Sequence, residues 1–132
     1  MIVGVGIDII DNRRIAKLLI KYDEKFKSRC FLKKEINKAE SKNNEIQSLS
    51  KLYAAKEACV KALGIGFTKG IYWKDIEIFS NSYGKPLIKL HNNALIRLNS
   101  LTKKKCKIEL SLSDEKNYSI ANVIIYNYEK NK

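Results

Sequence analysis

The sequence predicts an α+β fold in which a mainly antiparallel sheet packs on one long helix, and three observations carry that expectation. The chain opens on an apolar run rich in β-branched residues, positions 1–10, that reads as a buried strand. A helical stretch from Lys51 to Gly64 occupies its middle. Its last third holds two alternating runs, 106–113 and 118–126, joined by a polar turn that reads as a hairpin. The order is strand, helices, then antiparallel strands, which is the α+β pattern. With 132 residues and 45% hydrophobic content, a single domain spanning 1–132 is expected, small enough that oligomerisation would help it.

In the opening strand a period of two sends Val3, Val5, Ile7 and Ile9 to one face and Gly4, Gly6 and Asp8 to the other. The bare glycine face invites another backbone to approach closely. Asp11 and Asn12 then lead into a helix through about Tyr22, with Ile15, Leu18, Leu19 and Tyr22 on its apolar side. Its other side carries Arg13, Arg14, Lys17 and Lys21, continued by Lys25 and Arg29, which suits docking to an acidic helix and equally suits a solvated face. A short helical piece over 31–39 and a polar loop precede the long helix. The apolar stripe of that helix is Ile46, Leu49, Leu52, Tyr53, Val60 and Leu63, and Gly64 is its C-cap. Gly66 and Gly70 bracket a loop. Residues 75–79 alternate as a strand, 81–86 turn into a second strand over 87–90, and a helix bearing Ala94, Leu95, Leu98 and Leu101 follows. The single His91 belongs to a helix-initiating turn.

Charged residues stand where an ordinary core has none. Lys56 falls near the middle of the long helix's apolar stripe, Glu57 lies at its edge, and Lys61 stands one turn beyond Glu57. Two readings hold at this level: a helix-stabilising Glu-to-Lys pair with Lys56 snorkelling to solvent, or part of a site. Asp8 divides the same way. It either begins the turn into the next helix or meets Glu57 across the glycine face. Two adjacent carboxylates repel unless a cation lies between them, and two oxygen ligands completed by water and phosphate describe a magnesium site. Gly4-Val5-Gly6 is not a dinucleotide fingerprint, because no third glycine follows at the required place.

Lys and Arg total 26 against 14 Asp and Glu, a formal charge of +12, so the expected partners are anionic. A basic nucleic-acid-binding module without catalysis is the alternative reading. It requires aromatic side chains amid the basic residues of an exposed sheet face, whereas Tyr53, Tyr72, Trp73 and Tyr118 are scattered along the chain. Cys30, Cys59 and Cys106 lack metal-ligand spacing and read as reduced thiols, which suits a cytoplasmic protein. No run approaches a membrane span, and no membrane partner is expected.

Four segments occur together in order: Gly4-Val5-Gly6-Ile7-Asp8-Ile9-Ile10, then Ala54-Ala55-Lys56-Glu57-Ala58 with Lys61-Ala62-Leu63-Gly64, then Gly84-Lys85-Pro86, and last Leu110-Ser111-Leu112-Ser113-Asp114 with Tyr118-Ser119-Ile120-Ala121. Over nearly the whole chain this resembles the 4′-phosphopantetheinyl transferase superfamily, and within it the short holo-acyl-carrier-protein synthases. The resemblance implies the transferase fold and transfer of phosphopantetheine from coenzyme A to a serine of apo acyl carrier protein in fatty acid biosynthesis, with adenosine 3′,5′-bisphosphate leaving. It implies Asp8 and Glu57 as magnesium ligands and Glu57, Lys61 and Asp8 as the catalytic set. It also implies Lys56, Lys61, Gly84, Lys85 and Pro86 at coenzyme A, and a homotrimer with sites at subunit interfaces. The basic set Arg13, Arg14, Lys17, Lys21, Lys25 and Arg29 would meet the carrier. The proton acceptor is Glu57 or a water on the metal, with Glu35 a further candidate. Two departures stand out: Asp114 occupies the place of a histidine found in many relatives, and Gln47 and Leu52 occupy places where arginines are common.

Overall fold

A computed structural model describes residues 1–68 and 70–128, so the loop expected between Gly66 and Gly70 includes one position, 69, outside the described residues. Strand β1 (Ile2–Asp11) pairs antiparallel with β5 (Tyr118–Asn127), which pairs antiparallel with β4 (Cys106–Asp114), giving the sheet order β1-β5-β4. A separate ribbon joins β2 (Ile76–Ser80) to β3 (Pro86–Leu90). Among the helices, α1 (Asn12–Tyr22), α2 (Glu24–Cys30) and α3 (Lys33–Glu40) precede the 18-residue α4 (Glu45–Ala62), and α5 (Asn92–Leu101) follows the ribbon.

Helix α4 lies against the inner face of the three-stranded sheet. A Cβ on Gly4 would stand 2.0 Å from the Ala62 carbonyl oxygen, and one on Gly6 would stand 1.9 Å from that of Ala58. Strand and helix backbones are therefore in direct contact, which is why this face of β1 carries glycines. Alanines complete the fit: Ala54, Ala55, Ala58 and Ala62 are buried along α4, and Ala121, Val123 and Ile125 of β5 close over it. The expected alternation holds with Asp8 continuing the inner face. Outward, Val5, Ile7 and Ile9 remain 56%, 60% and 61% exposed, an apolar face uncovered in the single chain.

The helix expected through about Tyr22 is α1, which ends there. Asp23 adopts φ 45°, and a second helix, α2, carries Lys25 and Arg29. Cap geometry settles the role of the acids at the first junction. Asp11 accepts a hydrogen bond from the Arg13 backbone N–H at 2.9 Å, so Asp11 caps α1 and Asp8 is free of that duty. A 3-10 turn, Trp73–Asp75, precedes β2, and α3 starts two residues later than expected because Phe31 is buried and Leu32 is extended. Among the described residues no helix is long and apolar enough to cross a membrane.

A methyl group at position 6 cannot be accommodated without parting α4 from β1. Gly6→Ala should lower unfolding free energy by about 3 kcal/mol or more, read from urea denaturation. A loss below about 1 kcal/mol would contradict this packing.

Candidate active site

The close contact of β1 and α4 brings Asp8 and Glu57 to one margin of the sheet. Glu57 is half-buried, and its proton affinity is raised first by burial and next by the Asp8 carboxylate, with Lys61 and Arg14 pulling the other way. Among the described residues no donor reaches Glu57 within hydrogen-bonding distance. Lys61 does not close the expected one-turn pair with Glu57. Its ammonium crosses to β1 and donates to the Ile7 carbonyl at 3.0 Å and to Asp8 Oδ1 at 3.1 Å. Two carboxylates thus share a margin, one bonded to a lysine and one unbonded.

This donor set fits a hard divalent cation. Oxygen ligands and negative charge are what magnesium requires, and an ion carrying several waters or phosphate oxygens needs only one or two carboxylates from the protein. Among the described residues no third His, Cys, Asp or Glu joins them.

Lys56 stands apart from that margin. Its side chain is 0% exposed, and its ammonium donates to Glu35 Oε1 at 2.7 Å, to the Cys30 carbonyl at 2.9 Å and to the Trp73 carbonyl at 3.1 Å. Burial pulls the lysine down from its ordinary value while Glu35 supports the charge. All three donors are engaged inside the protein, so Lys56 neither snorkels nor reaches a phosphate in this conformation. Glu35 is equally committed: Oε1 also accepts from the Leu32 backbone N–H, and Oε2 accepts from that of Ile78, each at 2.8 Å. A carboxylate so saturated and 3% exposed is an anchor, and its place as a proton acceptor is withdrawn. The pair ties α3, α4, the 3-10 turn and the β2–β3 ribbon together.

That anchoring shapes a second feature, a groove of about 840 Å³ between α3, the start of α4, the ribbon and β4. Gly84, Lys85 and Pro86 line it. Lys34, Lys38, Lys42 and Lys51 line it too, and these four escaped the sequence reading. The spacing of Lys34 and Lys38, one helical turn apart, was the available signal. Leu52, Phe79, Leu110 and Leu112 supply an apolar floor. Lys51 lies 3.7 Å from Asp114, and Lys85 lies 2.8 Å from Glu109, so acids of β4 hold two of the cations in place.

Groove and carboxylate pair do not meet within one chain. Leu52 and Glu57 are five residues apart on α4, about 140° of rotation at 100° per residue, and Ser48 is about 180° from Glu57. Neither Asp8, Glu57 nor Lys61 lines the groove. The basic positions of the expected docking face are exposed on α1 and α2, with Arg13 tied to Asp11 at 2.7 Å and Arg14 lying 6.0 Å from the centre of the Tyr53 ring. Lys27, beside them in sequence, is instead buried among Glu24, Glu40 and Glu45.

A family model described as the 4′-phosphopantetheinyl transferase superfamily matches residues 4–123. The chain is similar to the holo-[acyl-carrier-protein] synthase of Ehrlichia canis, 45% identical over 130 residues and covering 96% of each protein. It is 44% identical over 127 residues to that of Bartonella bacilliformis, covering 95% of this chain and 96% of the relative. Among solved structures it resembles the Neisseria meningitidis synthase, with TM-score 0.84, 30% identity and coverage of 96% and 100%. It also resembles the Helicobacter pylori synthase in complex with coenzyme A, with TM-score 0.80, 30% identity and coverage of 92% and 99%.

Removing one member of the buried pair strands the other. Glu35→Gln should cost about 3–5 kcal/mol in urea denaturation, and the double change Glu35→Leu with Lys56→Met should cost less than that single change. A double variant no more stable than Glu35→Gln would contradict the pairing.

Proposed function

Since the chain belongs to the 4′-phosphopantetheinyl transferase superfamily, we propose that it acts as a holo-acyl-carrier-protein synthase, moving 4′-phosphopantetheine from coenzyme A to a serine of apo acyl carrier protein. Adenosine 3′,5′-bisphosphate leaves, and the modified carrier serves fatty acid biosynthesis. The transferase is read as one domain over 1–132. The observation that carries the reading is the pairing of Asp8 with an unbonded, half-buried Glu57 beside Lys61.

In this reading Asp8 and Glu57 would hold magnesium, which would supply positive charge for the pyrophosphate oxygens and for the leaving phosphate. Lys61 adds a positive charge at the same margin, placed for an oxygen of the transferred phosphate. Glu57, whose proton affinity burial and Asp8 raise, is the acceptor this margin offers the serine proton. Lys34, Lys38, Lys42, Lys51 and Lys85 suit the bisphosphate end of coenzyme A, with the Gly84 and Pro86 backbone close by. Lys56 acts only through the interior it organises.

Because the groove faces away from the carboxylate pair, we propose that a site is completed between two copies, as in a homotrimer. The exposed Val5, Ile7, Ile9 and Ile120 support this, since an apolar sheet face of that kind favours burial against another copy. The exposed cations Arg14, Lys17, Lys21, Lys25 and Arg29, with Arg13 partly neutralised by Asp11, would draw in an acidic carrier. Free thiols at Cys30, Cys59 and Cys106 support a reducing, cytoplasmic setting. The nucleic-acid alternative needs exposed stacking platforms. Tyr53 is 8% exposed, the Trp73 ring stacks on Phe67 at 4.0 Å, and the exposed Tyr72 and Tyr118, at 70% and 44%, stand on different elements, one before the 3-10 turn and one at the start of β5.

Incubation with coenzyme A and an apo carrier should add one phosphopantetheine mass to the carrier only when a divalent ion is present. Asp8→Asn and Glu57→Gln should each lower that rate by orders of magnitude. The fold raises the Glu57 pKa, so its ionised form costs the metal-free protein stability at neutral pH, a cost that disappears as pH falls below the ordinary glutamate range. Glu57→Gln should therefore melt at or above wild type at neutral pH without metal, with the gain fading in acid. Near-normal turnover in either variant would refute the assignment.

A further inference from the structure

We propose that Lys61 is the built-in counter-ion of the metal-free site, a tethered cation that holds Asp8 until a divalent ion displaces it. The inference rests on reading Asp8 and Glu57 as the divalent-ion site. It concerns what occupies that site before the ion arrives.

The position of the ammonium carries the argument. A glutamate followed four residues later by a lysine is the favoured order for a pair along a helix, so the simplest conformation would join Lys61 to Glu57. The side chain instead reaches across to β1, where it holds Asp8 Oδ1 at 3.1 Å and the Ile7 carbonyl at 3.0 Å. A cation there relieves the repulsion that two adjacent carboxylates would otherwise feel. Arg14 is the second positive group acting on Glu57, from α1. The two carboxylates thus face a cation from each flanking helix.

The contact is built to open. Lys61 is 52% exposed along its side chain while Asp8 is 16% exposed, so the ammonium can leave Asp8 at little packing cost while the aspartate stays in place. An ion taking Asp8 Oδ1 breaks one ammonium bond and leaves the Ile7 carbonyl as a tether. Displacement therefore frees Lys61 beside the oxygens of whatever the ion carries. The same residue opposes entry of the ion and, once displaced, is available to a phosphate.

Titration of Mn2+ followed by electron paramagnetic resonance, without coenzyme A, reads this directly. Lys61→Met keeps the stem and removes the charge, and should bind Mn2+ about fivefold more tightly than wild type, an advantage that narrows as salt rises. Lys61→Arg keeps the charge and should bind as wild type does. The metal-free melting temperature of Lys61→Met should fall and recover when Mn2+ is added. If Asp8→Asn abolishes Mn2+ binding while Lys61→Met leaves it unchanged or weaker, the counter-ion is overturned and the metal site stands. If wild type and Lys61→Met both bind no Mn2+, or Asp8→Asn binds as wild type does, the metal-site reading fails and the counter-ion fails with it.

Discussion

The approach of α4 to β1, backbone against backbone, is the constraint on which the rest of the molecule depends. Gly4 and Gly6 permit it, since any Cβ at either position would overlap a carbonyl oxygen of α4. With the two elements so close, the side chain that follows the glycines on the same strand face must lie beside the last turns of α4. That side chain is Asp8. A single packing decision thus produces both the core contact and the meeting of Asp8 with Glu57 and Lys61.

Helix α4 distributes its work around its circumference. One side meets β1 and carries Glu57 and Lys61 at its margin; another buries Lys56; a third, through Ser48, Lys51 and Leu52, forms the wall of the lysine-lined groove. The Lys56–Glu35 pair is expensive to bury, and such a pair holds only when its remaining donors and acceptors are satisfied. Here they are, by carbonyls of Cys30 and Trp73 and by the backbone N–H groups of Leu32 and Ile78. The bond to Ile78 also seats the ribbon that brings Gly84, Lys85 and Pro86 to the groove. Ion pairs at the surface do something different. Lys51 with Asp114 and Lys85 with Glu109 are partly exposed, so they orient cations without adding much stability.

What could be read from the sequence was local and periodic. The glycine face of β1 and the closing hairpin rest on spacing within a few residues, and the structure reproduces their ends to within one position. Helix α4 starts six residues before Lys51, and of its expected stripe Leu49, Tyr53, Val60 and Leu63 are buried while Ile46 is 37% exposed. Asp8 and Glu57 were legible because each interrupts an apolar pattern. Lys56 interrupted one as well, yet its partner lies 21 residues away on another helix, so its spacing could not distinguish a ligand-binding lysine from a buried one. The close of α1 at about Tyr22 was legible, whereas the φ of 45° at Asp23 was not, since neither glycine nor proline marks it. Lysines 34, 38, 42 and 51 belong to two helices and a loop, and only tertiary packing collects them with Lys85. The opposed placement of groove and carboxylate pair is likewise a property of helix rotation read together with tertiary contacts.

The central claim is that the carboxylate pair of one copy works with the groove of another. Co-expression of Glu57→Gln chains with chains carrying Lys51→Glu and Lys85→Glu tests it most directly, followed by measurement of phosphopantetheine transfer in the mixed assembly. Each parent alone should be nearly inactive. With random mixing, about a quarter of interfaces would unite an intact pair with an intact groove, so the mixture should regain about that fraction of wild-type activity. A mixed assembly no more active than its parents would contradict the account.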